Sequence, residues 1–449
     1  MANQLVNGQL YGPGITRIAV TGFKSLATKT EVEIRPLTVL AGANSSGKSS
    51  LMQPLLLMKQ TLESSVVPAG PFLLSGPYTR YTEVKQFLSR IGPATESTQR
   101  MAVDFDFSEK LSAGMTFAAE PNAAFDVIET RGSNANKSTR WKITKDSSPD
   151  DLRPIHSLIT AIMTHKGLTE LSGERYKFYL CLRTSAPQNE GPSFSQLTEP
   201  YEISILNSEI RRMIHIPGLR GDQLRKWLLA DVPVTNMYEG PFESYVPSII
   251  EYWQQTDPTI RPSINELNAG MKFLGLASSV RTLRLNESEV EMRIPRAFNS
   301  DENDYVNVAD VGLAVSTVLP VLVALIQAEP GQLVYIEQPE LHLHPKAQVL
   351  MAQLLAKAAS RGVRLVIETH SSLLLQGILT CVATDAITPE NVALHWFTRN
   401  EDGVTNVSTA ELDAQGRVGD WPEDFSDVEM RSSNDYLDAV ESKMFAEKK

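Results

Sequence analysis

The chain has 449 residues, 42% apolar and 21% charged, with a formal net charge of −11, enough for two to four domains of ordinary globular composition. The longest apolar stretch, 318–326, carries a proline and is far short of a membrane span, and residues 1–10 lack the layout of a signal peptide. No membrane partner and a cytoplasmic location are therefore expected; the two cysteines exclude a disulfide framework or a zinc set, and the acidic balance excludes general affinity for phosphate backbones.

In chain order, residues 15–34 read as two short strands around a turn, ITRIAVTGF and then TEVEI. PLTVLAG (36–42) reads as a strand buried on both faces that ends in glycine. A helix is expected from 49 to about 64, with Leu51, Leu55, Met58 and Leu62 on one face and Pro54 in its second turn. Prolines break 66–100 into loop with short elements. MAVDFDF (101–107) alternates like a half-buried strand, while the polar runs at 132–138 and 146–151 read as loops. Helices are expected at 152–171, 249–255 and 264–274, and strands at 203–206, 213–216 and 290–294. After Asp310 the periodicity sharpens: a helix over 316–328, the buried strand LVYIE, an amphipathic helix over 345–360, and a third buried strand in VRLVIETH. VALHWFT (392–398) adds a strand before a turn at 400–403 and an acidic tail. Buried strands alternating with helices predict a mainly parallel α/β sheet with helices on its faces. The expected division is 1–100 and 308–390 as two parts of one core, 101–307 as an inserted lobe, and 391–449 as a small C-terminal module.

GANSSGKSS (42–50) places Gly42, Gly47, Lys48 and Ser49 at the G-x-x-x-x-G-K-[ST] spacing, between an expected strand and an expected helix. Such glycines let backbone N–H groups turn inward around a phosphate, and the helix N-terminus adds its positive end. Asn44, Ser45, Ser46 and Ser50 complete the expected cradle. Lys48 is expected on the β/γ oxygens and Ser49 Oγ on Mg²⁺, making ATP and Mg²⁺ the expected cofactors.

The other informative run is YIEQPELHLHP (335–345). An acid, Glu337, ends the strand, but Gln338 follows where a second acid is usual. Glutamine can hold a water by hydrogen bonds and cannot take its proton at neutral pH. Glu340 lies two residues on, so Glu340, Gln338 and His370 form the expected catalytic set. His342 and His344 with Glu340 could be read as a metal cluster, yet a site needs three or four converging ligands, and the loop reading is preferred. Arg211, Arg212, Arg220, Arg225 and Lys226 form the one candidate basic patch, against the alternative of ordinary solvated positions.

Taken together, GFKSL (22–26), PLTVLAGANSSGKSSL, DVGLAVST (310–317), IEQPELHLHP and ETHSS (368–372) resemble the ABC-type ATPases of the SMC and RecF kind. Within that group, HIPGLRG (215–221), the Glu-Gln-Pro-Glu run and GRVGDWPEDF (416–425) resemble stand-alone bacterial AAA-type ATPases of the kind found in anti-phage defence modules, such as Septu-, PARIS- or OLD-like ATPase subunits. The resemblance implies an ABC-type P-loop ATPase head, with a mixed β-sheet, helices on both faces and an inserted α+β lobe. It also implies an ATP-sandwich homodimer or higher oligomer in which Gly312 and Ser316 reach the partner's nucleotide. Glu337 would hold magnesium through water, His370 would be the switch histidine near the γ-phosphate, residues 341–345 would cross the interface, and Gln86 would link the middle lobe to the metal. VGLAVST departs from the usual signature, with Ala314 for a glycine and Thr317 for a glutamine; a Cβ at a backbone-approach position obstructs close contact with phosphate.

The implied function is a slow ATPase that regulates a separately encoded effector, a nuclease or toxin, in response to a nucleic-acid or phage trigger. Nothing in the chain resembles a nuclease: the residues after His370 lack the glutamate-then-Asp-x-Asp order of a Toprim domain. The alternatives are a non-hydrolysing, nucleotide-gated scaffold and a DNA-repair head, the latter disfavoured by the net negative charge.

Overall fold

The computed structural model describes residues 5–6, 9–10, 14–90, 99–119, 124–134, 139–152, 155, 170–185, 195–221, 224–233, 235–257, 263–298 and 304–419. Two short strands, β1 (Leu5–Val6) and β2 (Gln9–Leu10), pair with each other. β3 (Arg17–Thr21), β4 (Thr30–Glu33) and β5 (Leu37–Gly42) lead to helix α1 (Lys48–Glu63). The next strands are β6 (Arg100–Ser108), β7 (Leu111–Ala118), β8 (Asp126–Asn134), β9 (Thr139–Thr144), β10 (Glu170–Tyr176), β11 (Tyr179–Ser185) and β12 (Ser195–Thr198). Then come α2 (Tyr201–Arg212), β13 (Ile214–Ile216), β14 (Trp227–Leu228), α3 (Val246–Gln255), α4 (Ser263–Phe273), β15 (Arg281–Arg284), β16 (Glu289–Pro295) and β17 (Tyr305–Asn307). The chain closes with α5 (Leu313–Gln327), β18 (Leu333–Glu337), α6 (Pro345–Ser360), β19 (Arg364–Thr369), α7 (Ser372–Ala383), β20 (Val392–Arg399) and β21 (Thr405–Ala410).

The central sheet runs β13-β18-β19-β5-β20-β21, parallel except for the last pair. Every residue of β5 is buried, because both faces are covered. Leu37, Val39 and Ala41 join one core with α3 to α7, while Leu40 joins a second core with α1, α2 and the antiparallel sheet β4-β3-β6-β7-β8-β9. The fold is thus the expected mixed α/β sheet with helices on both faces. Among the described residues, no helix is long and apolar enough to cross a membrane.

Helix α1 carries the phosphate-loop lysine and is buried almost all round, Lys59, Gln60 and Thr61 included. Lys59 pairs with Glu63 at 2.7 Å and donates to the carbonyls of Arg211 (2.8 Å) and Tyr238 (3.3 Å). Truncating one member of such a buried pair costs about 3–5 kcal/mol, since the other charge is left uncompensated. α1 runs unbroken through Pro54, as α5 does through Pro320.

The strand expected at 203–206 lies inside α2. Its β-branched isoleucines favour strand locally, but Ile203, Leu206 and Ile210 fall at helical spacing and bury one face against the second core. Of the helix expected at 152–171, residues 153–154 and 156–169 lie outside the described residues, and 170–171 open strand β10. Residues 132–134, expected as loop, extend β8. β13, from within 101–307, forms one edge of the central sheet by pairing with β18. The Trp421-Pro422 pair lies outside the described residues.

Candidate nucleotide site

The site lies at the carboxyl ends of β5, β18 and β19, where parallel sheets place ligands. Gly42 (φ 140°) ends β5 and Gly47 (φ 107°) caps α1, both in backbone conformations that disfavour a side chain. The first turn of α1 has no acidic residue, leaving its N–H groups for an anion. Lys48 Nζ donates to the carbonyls of Gly42 (2.9 Å) and Ala43 (2.7 Å). Burial pulls the Lys48 ammonium down to about 8, against the attraction of Glu368.

β18 and β19 are in register with Glu337 opposite Glu368, so two carboxylates stand side by side next to the loop. Ser49 Oγ donates to Glu368 Oε2 at 2.8 Å, and the buried Tyr335 hydroxyl donates to its other oxygen. Burial and the neighbouring Glu337 push Glu368 up to about 7, against the pull of Tyr335, Ser49 and Lys48. Burial also raises Glu337, but His215 Nε2 (3.0 Å), the Gly218 N–H (3.0 Å) and Tyr335 more than offset it and hold this carboxyl below its usual range. His215 stacks on Tyr335, its register partner, at 5.0 Å.

The cleft around these groups has a volume of about 1190 Å³. Asn44, Ser45, Ser46, Gly47, Lys48, Ser49 and Ser50 line it together with Glu337, Gln338, Glu368 and His370. Its basic residues are Lys24, Lys48, Lys85, Arg90 and Arg399, against the acids Glu337 and Glu368. A basic cleft in a chain of net charge −11 selects a polyanion by local field. Lys24 reaches it from a left-handed backbone (φ 49°), with Nζ donating to Gln53 Oε1 at 2.7 Å. Gln86 lines the rim and bonds its own turn through Thr82.

Gln338 also has a left-handed backbone (φ 48°), held by its N–H donating to the Glu368 carbonyl at 2.8 Å. Such strain, of order 1–3 kcal/mol, persists only where the surroundings over-determine it. Burial, and then Lys48, lower the pKa of His370 against a hydrogen bond with the Gly42 backbone, which favours the neutral ring.

Glu340 is placed differently from the expectation. It does not line the cleft; it is 8% exposed, with Oε1 accepting from Thr369 Oγ1 (2.6 Å) and from the His370 N–H (3.3 Å). Its Oε2 is buried without a hydrogen-bond partner, and burial raises its pKa. The turn after Pro339 sets this side chain against the end of β19, at Thr369 and His370. Glu340 therefore ties the 338–341 turn to Thr369 and His370, and Glu368 is the second acid that the cleft presents. Glu368 was visible in the sequence as the first residue of ETHSS, but its pairing with Glu337 needs the strand order.

Arg220 is occupied by main-chain carbonyls. Its guanidinium donates to the carbonyls of Glu337 (2.5 Å), Gln338 (2.6 Å), Thr317 (2.8 Å) and Pro217 (2.9 Å). Three other members of the patch are paired: Arg212 with Glu329, Arg225 with Asp310 and Lys226 with Glu289. His342 lines the cleft, whereas His344 caps α6 by accepting from the Lys346 N–H. Among the described residues, no group of three or more His, Cys, Asp or Glu is placed to hold a metal ion. Gly312 caps α5 in open space and Ser316 bonds its own helix turn; this chain brings neither to the cleft.

These features define a P-loop nucleotide site. Residues 14–166 match the family described as "AAA ATPase domain", and residues 182–376 the family described as "AAA domain, putative AbiEii toxin, Type IV TA system". The phosphate loop lies in the first matched segment, and Glu337 and Glu368 lie in the second. Residues 387–432 match "Protein of unknown function (DUF3696)". No curated protein matches. Among solved structures, the chain is similar to the SmcHead bound to the C-winged helix domain of ScpA, at 12% identity over 89% of this chain and 98% of that one (TM-score 0.48). It is also similar to the SMC head domain from Thermotoga maritima, at 10% identity over 89% of this chain and 100% of that one (TM-score 0.39).

Proposed function

We propose that the protein binds ATP with Mg²⁺ in this cleft, hydrolyses it slowly, and uses nucleotide state to regulate a separately encoded effector in bacterial anti-phage defence. The observation that carries the reading is the phosphate loop facing two paired carboxylates inside a basic cleft of an acidic chain. The oxygen donors Ser49, Glu337 and Glu368 suit a hard cation, and they would hold the magnesium ion. Bound there, it would neutralise charge on the triphosphate. Lys48 and the loop N–H groups bind the phosphates, and Gln338 and His370 orient the attacking water.

Slow turnover follows from the side chains. Gln338 cannot accept a proton, and Glu340 is directed away from the cleft. Exposed Gly312 at the start of α5 supports assembly of two or more copies, each presenting this helix end to another copy's nucleotide. The toxin-system wording attached to the family matched at 182–376 supports a nuclease or toxin as the regulated effector, with a phage component as trigger. ATP turnover of the wild type beside Lys48→Ala tests the reading, with sizing in the presence and absence of ATP. Slow turnover lost in Lys48→Ala is expected. ATP binding without any turnover above that control would instead establish a nucleotide-gated scaffold, the reading favoured by the displaced Glu340. Absence of ATP binding would refute both.

A further inference from the structure

The hairpin β20–β21 lies in the segment matched only by a family of unknown function, yet it touches the phosphate loop at several points. β20 runs beside β5, with Phe397 opposite Gly42. A Cβ on Gly42 would sit 2.2 Å from the Phe397 carbonyl oxygen, and one on Gly47 would sit 2.3 Å from Thr405 Oγ1. Both glycines of the loop are therefore required by atoms of this hairpin as well as by their own backbone angles. Thr405 is 2% exposed; its Oγ1 donates to the Ser46 carbonyl at 2.7 Å and shares a hydrogen bond with Ser25 Oγ at 2.8 Å. The Thr405 N–H donates to the Ser25 carbonyl at 2.8 Å. One residue thus joins the phosphate loop to the GFKSL segment that carries Lys24. At the end of β20, Arg399 lines the cleft, its Nε held by the Gly403 carbonyl at 2.7 Å across a turn closed by Asn400.

We infer that the C-terminal hairpin is a working wall of the nucleotide site, with Thr405 a positioning residue for the phosphate loop and Arg399 a cation facing the bound triphosphate. This rests on the nucleotide reading above. The Ser46 carbonyl must point away from the phosphates for the neighbouring N–H groups to point toward them. Thr405 supplies the hydrogen bond that fixes this orientation from behind. Arg399 lines the same cleft as Lys48, which gives the hairpin a direct electrostatic stake in whether that cleft is filled.

The test measures Mg-ATP affinity by calorimetry in the full chain, beside the unfolding midpoint of the nucleotide-free protein. Thr405→Val keeps shape and removes the hydroxyl; it should weaken ATP binding about tenfold, the worth of one buried hydrogen bond. Thr405→Ser keeps the hydroxyl and should bind within about threefold of wild type, the rescue that a mere packing role would not give. Arg399→Gln should weaken binding about threefold or more, as a partly screened charge does, with the nucleotide-free midpoint unchanged because the side chain is exposed. Wild-type affinity in Thr405→Val and Arg399→Gln would overturn the inference while leaving the nucleotide site intact. Equal losses in Thr405→Ser and Thr405→Val would overturn the role of the hydroxyl. Should Thr405→Val not fold, Thr405→Ser and Arg399→Gln decide. A wild type that binds ATP no better than Lys48→Ala would sink the nucleotide reading itself.

Discussion

Replacing Arg220 with alanine removes the clamp between three parts of the site. Its guanidinium is largely buried, and burial lowers its pKa only to about 10, so it is charged at neutral pH. It bonds the two carbonyls that end β18, those of Glu337 and Gln338, and the Thr317 carbonyl on α5. A buried acceptor left unsatisfied costs about 1–3 kcal/mol. Counting only the Glu337 and Gln338 carbonyls, since Thr317 lies within helix α5 and water can reach the exposed end of the 217–221 turn, Arg220→Ala should lose about 2–6 kcal/mol. Arg220→Lys, with a compact head that reaches one or two of these oxygens, should lose about half as much. Urea unfolding followed by tryptophan fluorescence reads both values. Because the clamp sets where Glu337 and Gln338 stand, Mg²⁺-dependent ATP binding should weaken in step with stability while metal-free binding through Lys48 changes less. A loss under about 0.5 kcal/mol, the size of an ordinary surface change, would refute the clamp.

Two further outcomes follow from buried ionisable groups. Glu340→Gln keeps an oxygen for Thr369 and removes the charge. Burial raises the folded-state pKa of Glu340, so its contribution is most favourable below the usual carboxylate value and is lost as pH rises through the folded value; the variant should lose less stability than wild type as pH rises above the usual carboxylate range, and should keep its ATP turnover. A fall in turnover of about 10²–10⁴, the worth of a general base, would show that Glu340 swings into the cleft and takes the proton. Lys48, drawn down to about 8 in the nucleotide-free site, should be restored to its charged form by a triphosphate. ATP affinity should then fall by up to about tenfold per pH unit above about pH 8, with proton uptake on binding in calorimetry across buffers of different ionisation enthalpy. Absence of uptake there would refute the assignment of Lys48.

The cradle was legible in the sequence because its chemistry is local: strand, glycine turn, lysine and helix occupy consecutive residues, and β5, β18 and β19 announce themselves as unbroken apolar runs. The same locality misled at 203–206, where β-branched residues spell a strand and tertiary burial at helical spacing prevails. The carboxylates divided along this line. Glu337 could be placed from its own strand end, whereas Glu368 acquires its partner only through the register of β18 on β19. Glu340 lies near in sequence and points away, a matter of turn geometry after Pro339 that no spacing encodes. Thr405 stands 359 residues from the Ser46 carbonyl it holds, and Arg220 bonds only main-chain atoms, which carry no sequence signal at all.

The position of β5 between β19 and β20 also sets when the protein can begin to work during its manufacture. A ribosome delivers β5 and the phosphate loop early, yet both strands that flank β5 come from the last quarter of the described chain. At about 5–20 residues per second, the wait from Gly47 to Thr405 is on the order of 20–70 s. Throughout it, the nascent chain carries an apolar strand with two unpaired edges, the kind of segment that sticks to other chains. ATP cannot shorten the wait, because a ligand stabilises only a state that already has its site. Supply of the active protein is thus governed by the arrival of its last strands, and a truncated product would be a burden on chaperones rather than a weaker version of the whole.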